Sequence, residues 1–207
     1  MEDPTHTLRG VITDFVREFV ENPYLCYTEH GLHARLYTML YDALPAEARY
    51  TIWSGQKVCV LQKEYPTAVC LGAARKQNWD ISLLKTPPVS LQPEETNAFD
   101  YLYLSAVVEL GMNATKEHLA RDIERLNHCK ANLDQGFVIH LYRLSKSKCQ
   151  FSRRDWSSNS GRILHKEKVA QMIAETDVQV LYGMCDATGK HKNGAWHLAG
   201  DSVKELA

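Results

Sequence analysis

At 207 residues, 44% of them apolar, the chain is long enough to close one hydrophobic core, with room for little more than a small appendage. Its 24 basic and 25 acidic residues nearly cancel, which excludes a polybasic nucleic-acid coat protein and a disordered acidic chain, but not a local basic patch. The six cysteines (Cys26, Cys59, Cys70, Cys129, Cys149 and Cys185) form no CxxC pair and no zinc spacing with histidine, so with no signal peptide they read as reduced thiols of a cytoplasmic protein.

The first predicted element is a helix over "LRGVITDFVREFVEN", with Leu8, Val11, Ile12, Phe15, Phe19 and Val20 at helical spacing and a stop at Asn22-Pro23. A second helix follows in "TEHGLHARLYTMLYDAL", where Leu32, Leu36, Leu40 and Leu44 make one stripe, Thr28 is the expected N-cap and Glu29 falls in the first turn. The pattern then switches to period two: "KVCVLQKEY", "NWDISLLK" and "FDYLYLSAVVEL" read as strands, the third apolar enough to be central. "TKEHLARDIERLNHCKAN" is helical through Leu119, Ile123 and Leu126, and "GFVIHLYRL" is a fourth strand. After a basic loop, "ILHKEKVAQMIAE" is a helix and "VQVLYGMC" a last strand. These elements predict an α/β domain over residues 1–185, with a helix in residues 1–22, a mixed central β-sheet flanked by helices, and a C-terminal tail over 186–207. No apolar run approaches the roughly 20 residues of a membrane span.

Asp80 lies early in the second strand and Glu109 late in the third. Antiparallel pairing would bring both carboxylates to one edge of the sheet, a hard-oxygen site for Mg²⁺ or Mn²⁺ to which the Leu110 carbonyl adds a further oxygen. The competing reading is of two ordinary solvated charges at strand ends.

Taken with Glu29 in "YTEHGLHARLYTML", Asp80 in "NWDISLL" and Glu109 in "VVELGMN", followed by the helix "TKEHLARDIERL", the pattern resembles the PD-(D/E)XK, or restriction-endonuclease-like, nucleases from about residue 25 to residue 185. The resemblance implies an αβββαβ core, a metal-dependent nuclease acting on DNA or RNA, Asp80 and Glu109 as metal ligands, Glu29 as a further acidic group and, as in many relatives, a homodimer. Gly111 stands where that family places a lysine that stabilises charge at the phosphate. Either another lysine fills the gap, with Lys116 preferred and Lys63 and Lys76 as rivals, or the protein is a degenerate, non-cleaving module that binds nucleic acid or protein. A structural or interaction domain is the third alternative, and near-neutral charge fits it.

Glu64 reads either as a strand-end charge or as a further member of the acidic cluster. His118, Asp122 and Arg125 share one helix face, read as solvated and internally paired. Lys146, Lys148, Arg153 and Arg154, interleaved with Phe151 and Trp156, have the composition of a nucleic-acid contact and equally of a solvated loop. No GxxxxGK[ST] loop and no GxSxG elbow is present.

Overall fold

The computed structural model describes residues 4–67, 69–71, 77–89, 101–145 and 163–206. Helix α1 (Pro4–Glu21) opens with a proline, tolerated at a first position where the missing N–H has no intrahelical partner. Helix α2 (Glu29–Ala43) is capped as expected: the Thr28 hydroxyl accepts the Gly31 N–H at 3.0 Å. A 3₁₀ turn (Ala46–Ala48) leads into a separate hairpin of β1 (Tyr50–Trp53) and β2 (Gln56–Cys59). Its two-residue loop, Ser54-Gly55, has φ of +47° and +75°, the left-handed pair that a tight hairpin turn needs.

The main sheet holds β3 (Leu61–Pro66), β4 (Asn78–Leu84), β5 (Leu104–Met112), β6 (Leu133–Leu144), β7 (Gln179–Asp186), β8 (Gly194–Ala199) and β9 (Ser202–Glu205), in that spatial order. Strands β3, β4 and β5 are antiparallel neighbours. Strand β6 runs parallel to β5, and β7 parallel to β6, each across a helical connection: α3 (Lys116–Leu126) and α4 (Lys166–Ile173). Strands β8 and β9 return antiparallel. The protein is therefore α/β, with a mixed seven-stranded sheet flanked by helices.

Two readings need correction. "KVCVLQKEY" is not one strand: it divides at Val60 between the hairpin and the main sheet. Residues 186–207 are not a tail, because β8 and β9 extend the main sheet beyond β7. Strand β9 is exposed along its whole length, so no apolar alternation marks it; its backbone pairing to β8 defines it.

The sheet separates two cores. On one face α1 and α2 bring Leu8, Ile12, Phe15, Leu36 and Leu40 against Ile81, Val108, Ile139 and Leu181. On the other, α3 packs through Leu119, Ile123 and Leu126 onto Val107 and Val138, and α4 through Val169 and Ile173. β5 is interior, paired on both sides, and buried at eight of its nine residues, so a charge placed on it is costly unless it is paired. No helix among the described residues is long and apolar enough to cross a membrane.

His140 lies on β6 level with Gly111, 1% exposed, its ring edge-on to Tyr142 at 4.8 Å. Burial pushes its imidazole down to about 3, so it folds neutral. A depressed folded value contributes stability that is present above the unfolded value of ~6.5 and is lost as pH falls toward 3. Between about pH 6 and pH 4 this group should cost up to ~1.4 kcal/mol per pH unit. Urea unfolding at several pH values checks it: wild type should lose stability relative to a His140→Phe variant as pH falls, and a pH-independent difference would contradict the assignment.

Candidate functional site

Strands β4 and β5 part at one end. Their pairing stops at Ile81 opposite Val108, while β5 runs on to Met112. The backbone N–H groups of Leu110 and Met112 then need other acceptors, since an unpaired buried donor costs ~1–3 kcal/mol. Asp80 Oδ2 accepts the Leu110 N–H at 2.8 Å, and Glu29 Oε2, from the first turn of α2, accepts the Met112 N–H at 2.9 Å.

Continuing the β4–β5 register one step sets Asp80 level with Glu109. On the other side of β4, Glu64 falls between the Lys63–Ile81 and Tyr65–Trp79 pairs and so is level with Asp80. Three carboxylates thus lie in one row across three strands. Glu64 itself is left-handed, at φ +54°, a conformation that costs a non-glycine residue roughly 1 kcal/mol.

Burial is the main force on the two inner carboxyls. It raises Asp80, with Glu64 and Asp122 adding to the effect, while His33 and the Leu110 N–H oppose it. It pushes Glu109 well above the carboxylate range; neighbouring Asp80, within hydrogen-bonding reach, raises it further, and Arg125 opposes. The row holds more negative charge than its surroundings solvate.

The counter-charge comes from α3. Arg125 Nη2 donates to Glu109 Oε1, its guanidinium lies 5.0 Å from the Trp79 ring centroid, and Asp122 is 3.7 Å away. One turn back, His118 Nε2 is 3.2 Å from Asp122 Oδ2, a contact that raises the imidazole toward the protonated form. From α2, His33 reaches the row with Nδ1 3.8 Å from Asp80 Oδ1, and neither of its ring nitrogens has a hydrogen-bond partner. These groups line a cleft of about 280 Å³, with Arg121, Gln77 and Asn78 also on its wall.

The loop into α2 is held from β6. The buried Arg143 guanidinium donates to the carbonyls of Pro23, Cys26 and Tyr27, at 2.7–2.8 Å. Thr28 and Glu29 follow at once, so this clamp sets where α2 begins and where Glu29 and His33 stand.

Of the residues expected from the sequence, Glu29, Asp80, Glu109 and Leu110 line the cleft together. Lys116 is exposed at the start of α3 and is not on the cleft wall, because the first turn of α3 directs it outward. Lys63 is exposed, with Nζ 3.7 Å from Glu64. Lys76, Lys146, Lys148, Arg153 and Arg154 lie outside the described residues. Gly111 has room for a side chain only if Ala114 gives way, since an added Cβ would stand 3.0 Å from the Ala114 Cβ. The α3 face read as solvated and internally paired is paired, His118 to Asp122 and Asp122 to Arg125, but only His118 is exposed: Asp122 and Arg125 are 7% and 9% exposed and turn into the cleft. His33 was not anticipated. Its spacing of four residues from Glu29, which puts both on one face of α2, was the available signal.

No family model, curated protein or solved structure matches the chain.

Removing Arg125 strands a buried acidic pair. Arg125→Ala should destabilise the fold by about 3 kcal/mol near neutral pH. Adding Glu109→Gln should recover part of that loss, and the deficit of the single variant should shrink as pH falls, because a carboxyl raised by burial is free to take a proton. A double-mutant cycle by urea unfolding measures this, and additive effects would mean that the pair is not coupled.

Proposed function

We propose that the protein is a divalent-metal-dependent phosphodiesterase acting on nucleic acid. The observation that carries this reading is the meeting of Asp80 and Glu109 where β4 and β5 part, inside a cleft that α3 lines with Arg121, Arg125 and His118. The carboxylates of β4 and β5 suit a metal, and the cations of α3 suit a phosphate. The element order supports the resemblance to PD-(D/E)XK nucleases: α2, the antiparallel β3–β4–β5, then α3 crossing to the parallel β6.

The donor set fits Mg²⁺ or Mn²⁺. Asp80 Oδ1 and the Leu110 carbonyl are oxygen donors on the cleft wall, and Glu109 becomes one where Arg125 yields an oxygen. When bound, a divalent cation supplies Lewis-acid polarisation of the phosphate. The chain's own groups do the rest. Arg121 and Arg125 orient the non-bridging phosphate oxygens and offset charge as it builds up. Protonated His118 adds a further donor. In this reading Arg125, and not Lys116, supplies the positive charge that Gly111 lacks.

A second reading has one observation in its favour. Glu109 already pairs with Arg125, so the carboxylate expected to hold metal is neutralised by the chain itself. On that basis the protein would bind nucleic acid without cutting it.

Plasmid, single-stranded DNA and RNA incubated with Mg²⁺ or Mn²⁺ separate the two. Cleavage is expected, lost in Asp80→Asn, reduced ~10²–10³-fold in Arg125→Gln and unchanged in Lys116→Ala. Binding without cleavage under either metal would replace the first reading with the second.

A further inference from the structure

We propose that the cation of this site is held by His33, Glu64 and Asp80, and that the imidazole makes it a site for a first-row transition ion such as Mn²⁺ in preference to Mg²⁺. The proposal deepens the metal-dependent reading and takes from it only the presence of a cation.

One donor atom from each of His33, Glu64 and Asp80 lies within 4.8 Å of the other two. Oxygen and nitrogen ligands stand ~2.1 Å from such ions, so donors of one ion lie no more than about 4.2 Å apart. The triad therefore has to close by no more than about 0.6 Å, and His33 Nδ1 and Asp80 Oδ1, 3.8 Å apart, are already close enough. Glu64, whose side chain is 52% exposed and is held by a 3.7 Å ion pair to the exposed Lys63, can make that movement at the cost of a weak surface contact. The strongest independent sign is His33. It is only 5% exposed, both its ring nitrogens lack a hydrogen-bond partner, and Nδ1 faces Asp80 Oδ1. A buried imidazole is normally fixed by a bond at one nitrogen or both. His30 meets the His33 ring edge-on at 6.1 Å.

The remaining acidic groups are otherwise engaged. Glu109 is bound to Arg125, Glu29 accepts the Met112 N–H, and Asp122 lies between His118 and Arg125. Asp80 spends Oδ2 on the Leu110 N–H and keeps Oδ1 toward His33. The left-handed backbone at Glu64 is consistent with a residue held against its preference at a binding site. Mg²⁺ prefers oxygen ligands alone and keeps its waters, whereas imidazole suits the transition ions.

Pulsed electron paramagnetic resonance of Mn²⁺ bound to the full chain tests this directly, because an imidazole ligand imprints a ¹⁴N modulation on the signal. Wild type should show the modulation. His33→Gln should lose it and bind Mn²⁺ at least ~10-fold more weakly, with Mg²⁺ affinity within about twofold of wild type. His118→Gln should keep the modulation, which excludes the other cleft histidine as its source. If His33→Gln does not fold, the wild-type spectrum and Glu64→Gln, expected to weaken Mn²⁺ binding ~10-fold, decide the matter. Absence of ¹⁴N modulation in wild type, its survival in His33→Gln, or no Mn²⁺ binding overturns the proposal. Cleavage without modulation overturns it and leaves the phosphodiesterase reading standing; modulation without cleavage supports the metal centre and removes the phosphodiesterase reading.

Discussion

Two backbone donors organise this end of the molecule. Strand β5 parts from β4 beyond Val108, so the N–H groups of Leu110 and Met112 must find acceptors other than a ladder partner. Side chains supply them: Asp80 from the neighbouring strand and Glu29 from the helix above. A hydroxyl or amide would also have satisfied these donors, at lower cost than burying a charge. The use of carboxylates creates the cleft's electrostatics, and the parting of the strands creates its space.

Much of the surrounding structure answers that charge. Glu109, buried beside Asp80, would be costly alone. The α3 face carrying His118, Asp122 and Arg125 at intervals of four and three residues turns toward it, while Leu119, Ile123 and Leu126 seat the same helix on Val107 and Val138. One short helix thus closes a core and neutralises a site. Arg143 does comparable work on the opposite side, converting three loop carbonyls into a fixed starting point for α2. Trp79 links the α3-side core to the site, lying in that core and 5.0 Å from the Arg125 guanidinium.

Elements with a strong internal period were legible. The Leu32, Leu36, Leu40 stripe and the Thr28 cap specify α2 locally, and α3 carries its own apolar stripe. Elements that depend on a neighbour were not. Strand β9 is exposed throughout and exists because β8 offers it a backbone edge, so nothing in "SVKE" announces it. The break at Val60 is similar: the residues on either side alternate as one strand would, yet the Val60 N–H bonds to the Arg49 carbonyl and the chain changes sheet.

The candidate site divides along the same line. Strand and helix periods are local properties, so the residue pattern alone places one carboxylate at the end of an apolar strand, another at the start of the strand before it, and a third at the opening of a helix. It also made plain that position 111 carries no cation. Which groups meet there is set by the packing of the helices on the sheet. The orientation of α3 about its axis sends Arg125 inward and Lys116 outward, and the entry of α2 brings His33 beside Asp80. Those choices rest on long-range packing of helices on a twisted sheet, and residues far apart in the chain share no local pattern that encodes their contact.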